Sequence, residues 1–138
     1  MKKVLFAAII LIVTAGMVHA QTTVWFRVES RDSETQTLFD AMVYRDLSQR
    51  EGFVLVNEMR DADFRIFFTI LTKKNNADRL TGYVGSHVIA MRDGETPILL
   101  GYFLDSGVAA GGPNDLPWLK DTLLEYAIET MILITVRQ

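Results

Sequence analysis

The sequence predicts an α+β fold: a mixed sheet of about five strands with two helices packed on one face. Segments of alternating hydrophobicity, typical of strands, fill the middle of the chain, whereas segments of helical periodicity follow the first strand and close the sequence. No repeat or linker divides residues 21–138, which are therefore expected to form a single domain. The expected order is strand–helix–strand–strand–strand–strand–helix.

Residues 1–20 have the three zones of a cleavable secretion signal. Lys2 and Lys3 precede an apolar run, and residues with side chains of small or modest size stand before Gln21. A membrane anchor is the alternative, but the run is shorter than the roughly 20 apolar residues that span a bilayer. We therefore expect cleavage between Ala20 and Gln21 and a periplasmic or secreted protein that keeps no stable membrane anchor.

The composition argues against several functional classes. The formal net charge of −3 becomes more negative on cleavage, because the signal contains two lysines and no acidic residue. An acidic chain without a basic run is not expected to bind nucleic acid. With no cysteine and only His19 and His87, we expect neither a metal site nor a cofactor.

The first helix is expected at residues 34–50. Ser33 and Gln36 form a capping-box pattern at its start, and Gly52 offers a left-handed residue after its end. Its buried stripe is expected to contain Leu38, Ala41, Met42 and Leu47, widened by Phe39 and Val43.

The strands follow from alternation and from turn signals. The first two should be parallel, because a helix connects them, whereas the later strands should be antiparallel hairpins; Asp93-Gly94 is one hairpin signal. Expected strands cover residues 23–29, 53–56, 63–72, 80–92 and 97–105.

A glycine-rich loop is expected at residues 107–114, followed by a second helix that Asp115 caps. Because backbone N–H groups at a helix start can bind an anion, Gly111, Gly112 and Asp115 are candidate binding residues. The second helix should bury a broad apolar face that contains Leu116, Leu119, Leu123, Leu124, Ala127, Ile128, Met131, Ile132, Leu133 and Ile134.

Two candidate catalytic arrangements were weighed against structural roles. Asp61 and Asp63 could pair as carboxylates, but they flank a strand entry beside Arg60 and Arg65, where local ion pairs are expected.

Ser86 and His87 are neighbours on one strand, so their side chains should point to opposite faces and cannot pair. His87 is expected to be an ordinary histidine on the sheet surface. No catalytic residue is predicted.

Three aromatic and aliphatic side chains indicate a contact surface. Trp25 falls on the polar side of the first strand, while Phe67 and Leu71 lie on the face of the third strand opposite Phe64 and Phe68. If both helices cover the other face, these apolar groups stay near solvent and mark a partner site.

Several segments together resemble the TolB N-terminal and CsgG-like (curli-secretion) envelope domains. They are the helix at Leu38–Gln49, the strand at Gly52–Val56 and the Ala-Asp-Phe motif in Ala62–Ile66, within a region of about residues 34–105. The resemblance implies an α/β envelope adaptor that acts by protein contact.

The sequence thus leads us to expect an exported, non-enzymatic accessory domain that binds an envelope protein or itself. The alternative is a small-molecule or anion binder that uses the loop at residues 107–115. A third hypothesis is a hydrolase that uses Asp61, Asp63 or Asp105.

Overall fold

The computed structural model describes residues 21–91 and 102–137. The signal peptide, the Asp93-Gly94 turn and the first part of the expected strand at 97–105 lie outside the described residues. The strands are β1 (Thr22–Ser30), β2 (Phe53–Leu55), β3 (Phe64–Lys74), β4 (Leu80–Met91) and β5 (Tyr102–Gly111), and the helices are α1 (Ser33–Gln49) and α2 (Leu116–Arg137).

The five strands form one mixed sheet in the order β2-β1-β3-β4-β5, which confirms the predicted fold class. β2 pairs with β1 in parallel, as the helical crossover requires. β3 pairs in parallel with the other edge of β1, so the expectation that all later strands run antiparallel is wrong here. The reason is a short 3₁₀ helix, Met59–Asp61, that carries the chain from β2 past β1. β4 and β5 are antiparallel, as expected.

Both helices pack on the same face of the sheet. Phe39 of α1 lies against Phe68 of β3, with ring centroids 5.4 Å apart. Gly85 of β4 pairs with Ile70 on that same face, and it lies beneath Leu123 of α2. The layer between sheet and helices is the hydrophobic core, which includes Val24, Val28, Val43, Leu47, Phe64, Ile66, Ile89, Leu119, Leu124, Ala127, Ile128 and Met131.

Glycines in β4 and β5 let α2 approach the sheet closely. A Cβ atom added at Gly85 would lie 2.8 Å from Leu123 Cδ1 and 3.0 Å from Leu119 Cδ2. A Cβ atom at Gly107 would lie 2.6 Å from His87 Cε1. Because ordinary carbon contacts need about 3.5 Å or more, larger side chains at either position would push the layers apart.

His87 is buried under α2, so the expectation of a surface histidine is wrong. Only 1% of it is exposed, and its ring centroid lies 5.3 Å from that of Tyr126. Alternation correctly separates His87 from Ser86, but it does not say which face α2 covers.

Asp32 is the residue that caps α1. Its carboxylate accepts a hydrogen bond from the N–H of Thr35 at 2.9 Å, whereas Gln36 accepts one from the N–H of Ser30 at 3.4 Å. The predicted cap at Ser33 is therefore wrong by one residue, because Asp32 reaches the free N–H groups of the first turn.

The buried row of α1 also differs from the prediction. Thr35, Phe39, Val43 and Leu47 are buried, whereas Leu38 is 51% exposed. The helix ends at Gln49, and Gly52 has the expected positive φ of 85° before β2.

Ion pairs connect the two helices. Lys120 of α2 donates to Asp46 of α1 and to its neighbour Asp121, and Arg50 donates to Glu125 at 3.2 Å. Burial alone would lower the pKa of Lys120, but the hydrogen bonds to Asp121 and Asp46 outweigh it and raise the pKa above 10.5. Lys120 therefore stays charged although it is only 5% exposed.

We expect Gly85→Val to lower the free energy of unfolding by about 1–3 kcal/mol, because the added methyl groups would overpack the contact with Leu119 and Leu123. The matched control is Ser86→Val on the opposite face, where we expect a change within about 0.5 kcal/mol. Urea unfolding measures both. Equal stability of Gly85→Val and the wild type would contradict the close packing of α2 on β4.

The cap of α1 should make stability depend on pH. Hydrogen bonds from the Thr35 hydroxyl and N–H lower the pKa of Asp32 below 3.8. A lowered folded-state pKa means that the stabilisation is present above the unfolded-state pKa and is lost as the pH falls through the folded-state pKa. We expect the gap in urea midpoint between wild type and Asp32→Ala to narrow from about pH 6 to about pH 2.5. A gap that does not change with pH would argue against a charged cap.

A bare sheet face as the candidate functional site

α1 and α2 leave the opposite face of the sheet uncovered, and the short 3₁₀ helix Met59–Asp61 covers it only at Arg65 among the described residues. Residues directly opposite each other on paired strands point to the same face, so the strand registers assign this face residue by residue. We call it the bare face; it presents Trp25, Arg27, Glu29, Phe67, Thr69, Leu71, Val84, Ser86, Val88, Ser106, Val108 and Ala110.

The three predicted contact residues all lie on the bare face. Trp25 and Phe67 meet edge to face, with ring centroids 5.6 Å apart and planes inclined by 66°. Leu71, four residues further along β3, is 49% exposed. The structure therefore brings Trp25 and Phe67 into contact and places Leu71 on the same strand face, as the alternation of β3 predicts.

The sequence analysis missed most of the remaining apolar residues of the bare face. Val84 and Val88 extend the surface across β4, and Val108 of β5 is 77% exposed. They became assignable once the β3–β4–β5 register was known. The surface thus crosses three strands instead of following β3 alone.

Polar groups border the apolar part of the bare face. Arg27 and Glu29 of β1 form an ion pair with a nitrogen–oxygen distance of 2.9 Å. At the other end the 3₁₀ helix covers Arg65, whose Nε donates to the carbonyl of Met59 at 3.0 Å. An apolar centre with a polar border is the usual arrangement of a protein-binding surface.

An open groove lies beside the bare face at the C-terminal half of β1. β2 pairs only with Thr22, Thr23 and Val24, so the second half of β1 has no strand partner on that side among the described residues. The groove has a volume of about 530 Å³ and is lined by Arg27, Val28, Glu29, Ser30, Arg31, Gln36, Thr69 and Leu71. Leu71 thus belongs to both the groove and the bare face.

The glycine-rich segment is a strand for most of its length, so the expected loop at 107–114 is wrong. β5 continues to Gly111, and the connection to α2 is short. The Asp115 carboxylate accepts a hydrogen bond from the Gly112 N–H at 2.6 Å, and a Cβ atom at Gly111 would lie 2.7 Å from Asp115 Cβ. Gly111 and Gly112 therefore make room for Asp115.

The Asp115 carboxylate occupies a backbone donor of the predicted anion site. The N–H of Gly112, which an anion would need, already binds a carboxylate. A cleft of about 330 Å³ lies elsewhere, between the start of α1 and the β3–β4 hairpin, and is lined by Asp32, Glu34, Thr35, Leu38, Thr72, Lys74, Asp78, Leu80 and Tyr83. Anion binding at Gly111, Gly112 and Asp115 remains a prediction.

Asp63 joins the start of β3 to β1. Its Oδ2 accepts hydrogen bonds from the N–H and hydroxyl of Thr23, at 3.1 and 2.8 Å, and its own N–H donates to Thr23 Oγ1 at 2.9 Å. Arg60, expected to pair with these aspartates, forms an ion pair with Glu58 at 2.7 Å. The structure therefore gives Asp63 a structural role.

Residues 21–91 and 102–137 contain neither a metal-binding cluster nor a membrane-spanning helix. No group of three or more histidine, cysteine, aspartate or glutamate residues in that part of the chain could hold a metal ion. None of the helices described there has the length and hydrophobicity to cross a membrane.

Comparison with known proteins identifies the fold and no family. No protein-family profile matches the chain, and no curated protein sequence matches it. The hypothetical protein CT253 from Chlamydia trachomatis is 12% identical, with a TM-score of 0.51 over 81% of this chain and 96% of its own. PelC from Paraburkholderia phytofirmans, a dodecamer, is 10% identical, with a TM-score of 0.50 over 83% of this chain and 90% of its own. Likeness at these identities shows the fold alone, and the predicted resemblance to TolB and CsgG-like domains stays a prediction.

We expect Asp63→Ala to lower the free energy of unfolding by about 1 kcal/mol, because it removes two hydrogen bonds to a charged acceptor. Asp61→Ala, two residues away in the 3₁₀ helix, is the matched control and should change stability by less than about 0.5 kcal/mol. Thermal unfolding of both variants measures the difference. Equal stabilities would show that the contact between Asp63 and Thr23 does not hold β3 to β1.

Proposed function

We propose that this protein is an exported, non-enzymatic accessory protein of the cell envelope that acts by binding another protein through the bare face. The observation that carries the proposal is the exposed apolar surface around Phe67 and Leu71 on the sheet face that α1 and α2 leave uncovered. Exposed apolar patches of this kind mark partner sites in soluble proteins.

The shape and chemistry of the bare face support a protein partner. Trp25 and Phe67 form a rigid aromatic pair, and aromatic side chains are the residues that most often dominate binding energy. Thr69 and Ser86 between the apolar residues offer hydroxyl groups, and the Arg27–Glu29 pair offers both charges at the border. Such a surface suits a partner with an apolar segment and a polar rim.

The structural contacts of Asp63 and His87 support the non-enzymatic part of the proposal. Asp63 is held by Thr23, and the His87 ring is packed between Tyr126 and the backbone of Gly107. PelC, a dodecamer with a similar fold, supports protein assembly as a use of this architecture. Export itself rests on the sequence pattern of residues 1–20.

We expect Phe67→Asp and Leu71→Asp to weaken binding of the envelope partner at least tenfold, since each puts a charge into the apolar centre of the contact. Leu38→Asp is the matched control, because Leu38 is 51% exposed on α1 and Leu71 is 49% exposed on the bare face. The measurement is crosslinking of the exported protein in intact envelopes, followed by affinity measurement with the captured partner.

Circular dichroism and melting temperature check that each variant is folded. Leu71 is exposed at the strand surface, so Leu71→Asp still tests the proposal if Phe67→Asp does not fold. If both bare-face variants bind like the wild type, or if Leu38→Asp weakens binding equally, the bare face is not the contact surface.

A further inference from the structure

β5 is the last described strand of the sheet, and its second half has little of the usual protection against pairing. Asp105 and an irregular register opposite Ile89 and Ala90 interrupt its first half, whereas Ser106–Gly111 include no charged residue and no proline. Natural edge strands are commonly protected by charges, prolines, bulges or short length. The opposite edge has such protection, since β2 has only three residues and the uncovered half of β1 carries Arg27 and Glu29.

Exposed apolar side chains lie on both sides of the β5 edge. On the bare face Val108 is 77% exposed. In the helix layer Trp118 lies beside Gly111, and Tyr126 lies on His87, whose ring covers Gly107. Trp118 and Tyr126 are 51% and 48% exposed. Leu133 follows two turns after Tyr126 on the same side of α2. Ile132 and Leu133 are 47% and 58% exposed, so the expectation that both are buried is wrong.

We propose that this surface, the β5 edge with the adjoining side of α2, binds a second copy of the chain around a two-fold axis. The two β5 strands pair antiparallel, so that the sheet continues from one copy into the other and the two α2 helices lie side by side. The proposal goes beyond the proposed function, because it uses a different surface and leaves Phe67 and Leu71 free for another partner.

The register of β5 favours a second copy as the occupant. Two identical strands can pair antiparallel with their bare faces on the same side of the sheet. Each residue that points to the bare face then lies opposite a residue that also points to the bare face, and the same holds for the face under the helices. An axis at Val108 puts Val108 against the partner's Val108, Ser106 against the partner's Ala110, and Gly107 against the partner's Ala109. None of these residues is charged, so the segment Ser106–Ala110 of an acidic chain can pair with itself without like charges in opposition.

The exposed aromatic side chains raise the buried area of the contact to that of a reversible dimer. Trp118 and Tyr126, each about half exposed, would add roughly 100 Å² each per copy to the strand pairing. Stable interfaces bury about 800 Å² per partner, so this contact lies towards the small end of that class. We therefore expect a dissociation constant on the order of micromolar.

Sedimentation equilibrium of residues 21–138 over roughly a hundredfold range around the micromolar tests the proposal. We expect a monomer–dimer equilibrium. Val108→Lys should weaken it at least tenfold, because it places two lysines opposite each other, and Trp118→Lys should also weaken it. The matched controls are Thr69→Lys, on the same face but within the sheet, and Tyr44→Lys, an exposed aromatic on α1; both should dimerise like the wild type.

The outcomes separate this inference from the proposed function. A wild type that stays monomeric throughout, or a dimer that Val108→Lys and Trp118→Lys leave unchanged, would overturn the inference while the Phe67-dependent contact could still stand. A dimer that Phe67→Asp breaks and Val108→Lys does not would place self-association on the bare face and would also overturn it. A dimer that survives Phe67→Asp supports the inference, whatever envelope partner is found.

Discussion

The close packing of α2 on Gly85 of β4 determines how this molecule is built. Gly85 lies directly beneath Leu119 and Leu123, and Gly107 leaves the space that the His87 ring occupies. Side chains at these positions would hold α2 away from the sheet and open the core. Because α2 packs at this position, it lies beside α1 on one face of the sheet. Lys120 forms an ion pair with Asp46 there, and Arg50 forms one with Glu125.

Both helices cover one face of the sheet, and residues 21–91 and 102–137 place no third layer on the other. Trp25 and Phe67 stabilise each other there by an edge-to-face contact instead of being buried in a core. The same arrangement leaves β5 as an outer strand flanked by the exposed side of α2. The bare face and the β5 edge therefore both result from the packing of α1 and α2 on one side of the sheet. They are separate surfaces, for which we propose two different partners.

The sequence predicts the layers of this fold better than it predicts their details. Alternation placed Phe67 and Leu71 opposite Phe68, and it placed Trp25 among the polar residues of β1, because the two-residue period of a strand is a local property. It could not decide that His87 is buried, since that depends on which face α2 covers. Glycine content suggested a loop at 107–114, but Gly107 and Gly111 lie in β5 because the side chains of His87 and Asp115 fill the space beside them. The cap of α1 was misplaced by one residue, because Asp32, Ser33 and Thr35 all have side chains that can cap.

The fold described above requires that α2 covers one face of β4 while the other face is open to solvent. The chain has no cysteine, so single cysteines placed along β4 each provide the only thiol of the protein. The labelling rates of cysteines at Tyr83, Val84, Ser86, His87, Val88 and Ile89 in dilute monomer measure the accessibility of each face. The account predicts fast labelling at Val84, Ser86 and Val88 and slow labelling at Tyr83, His87 and Ile89. Uniformly slow labelling, or the reverse alternation, would contradict it.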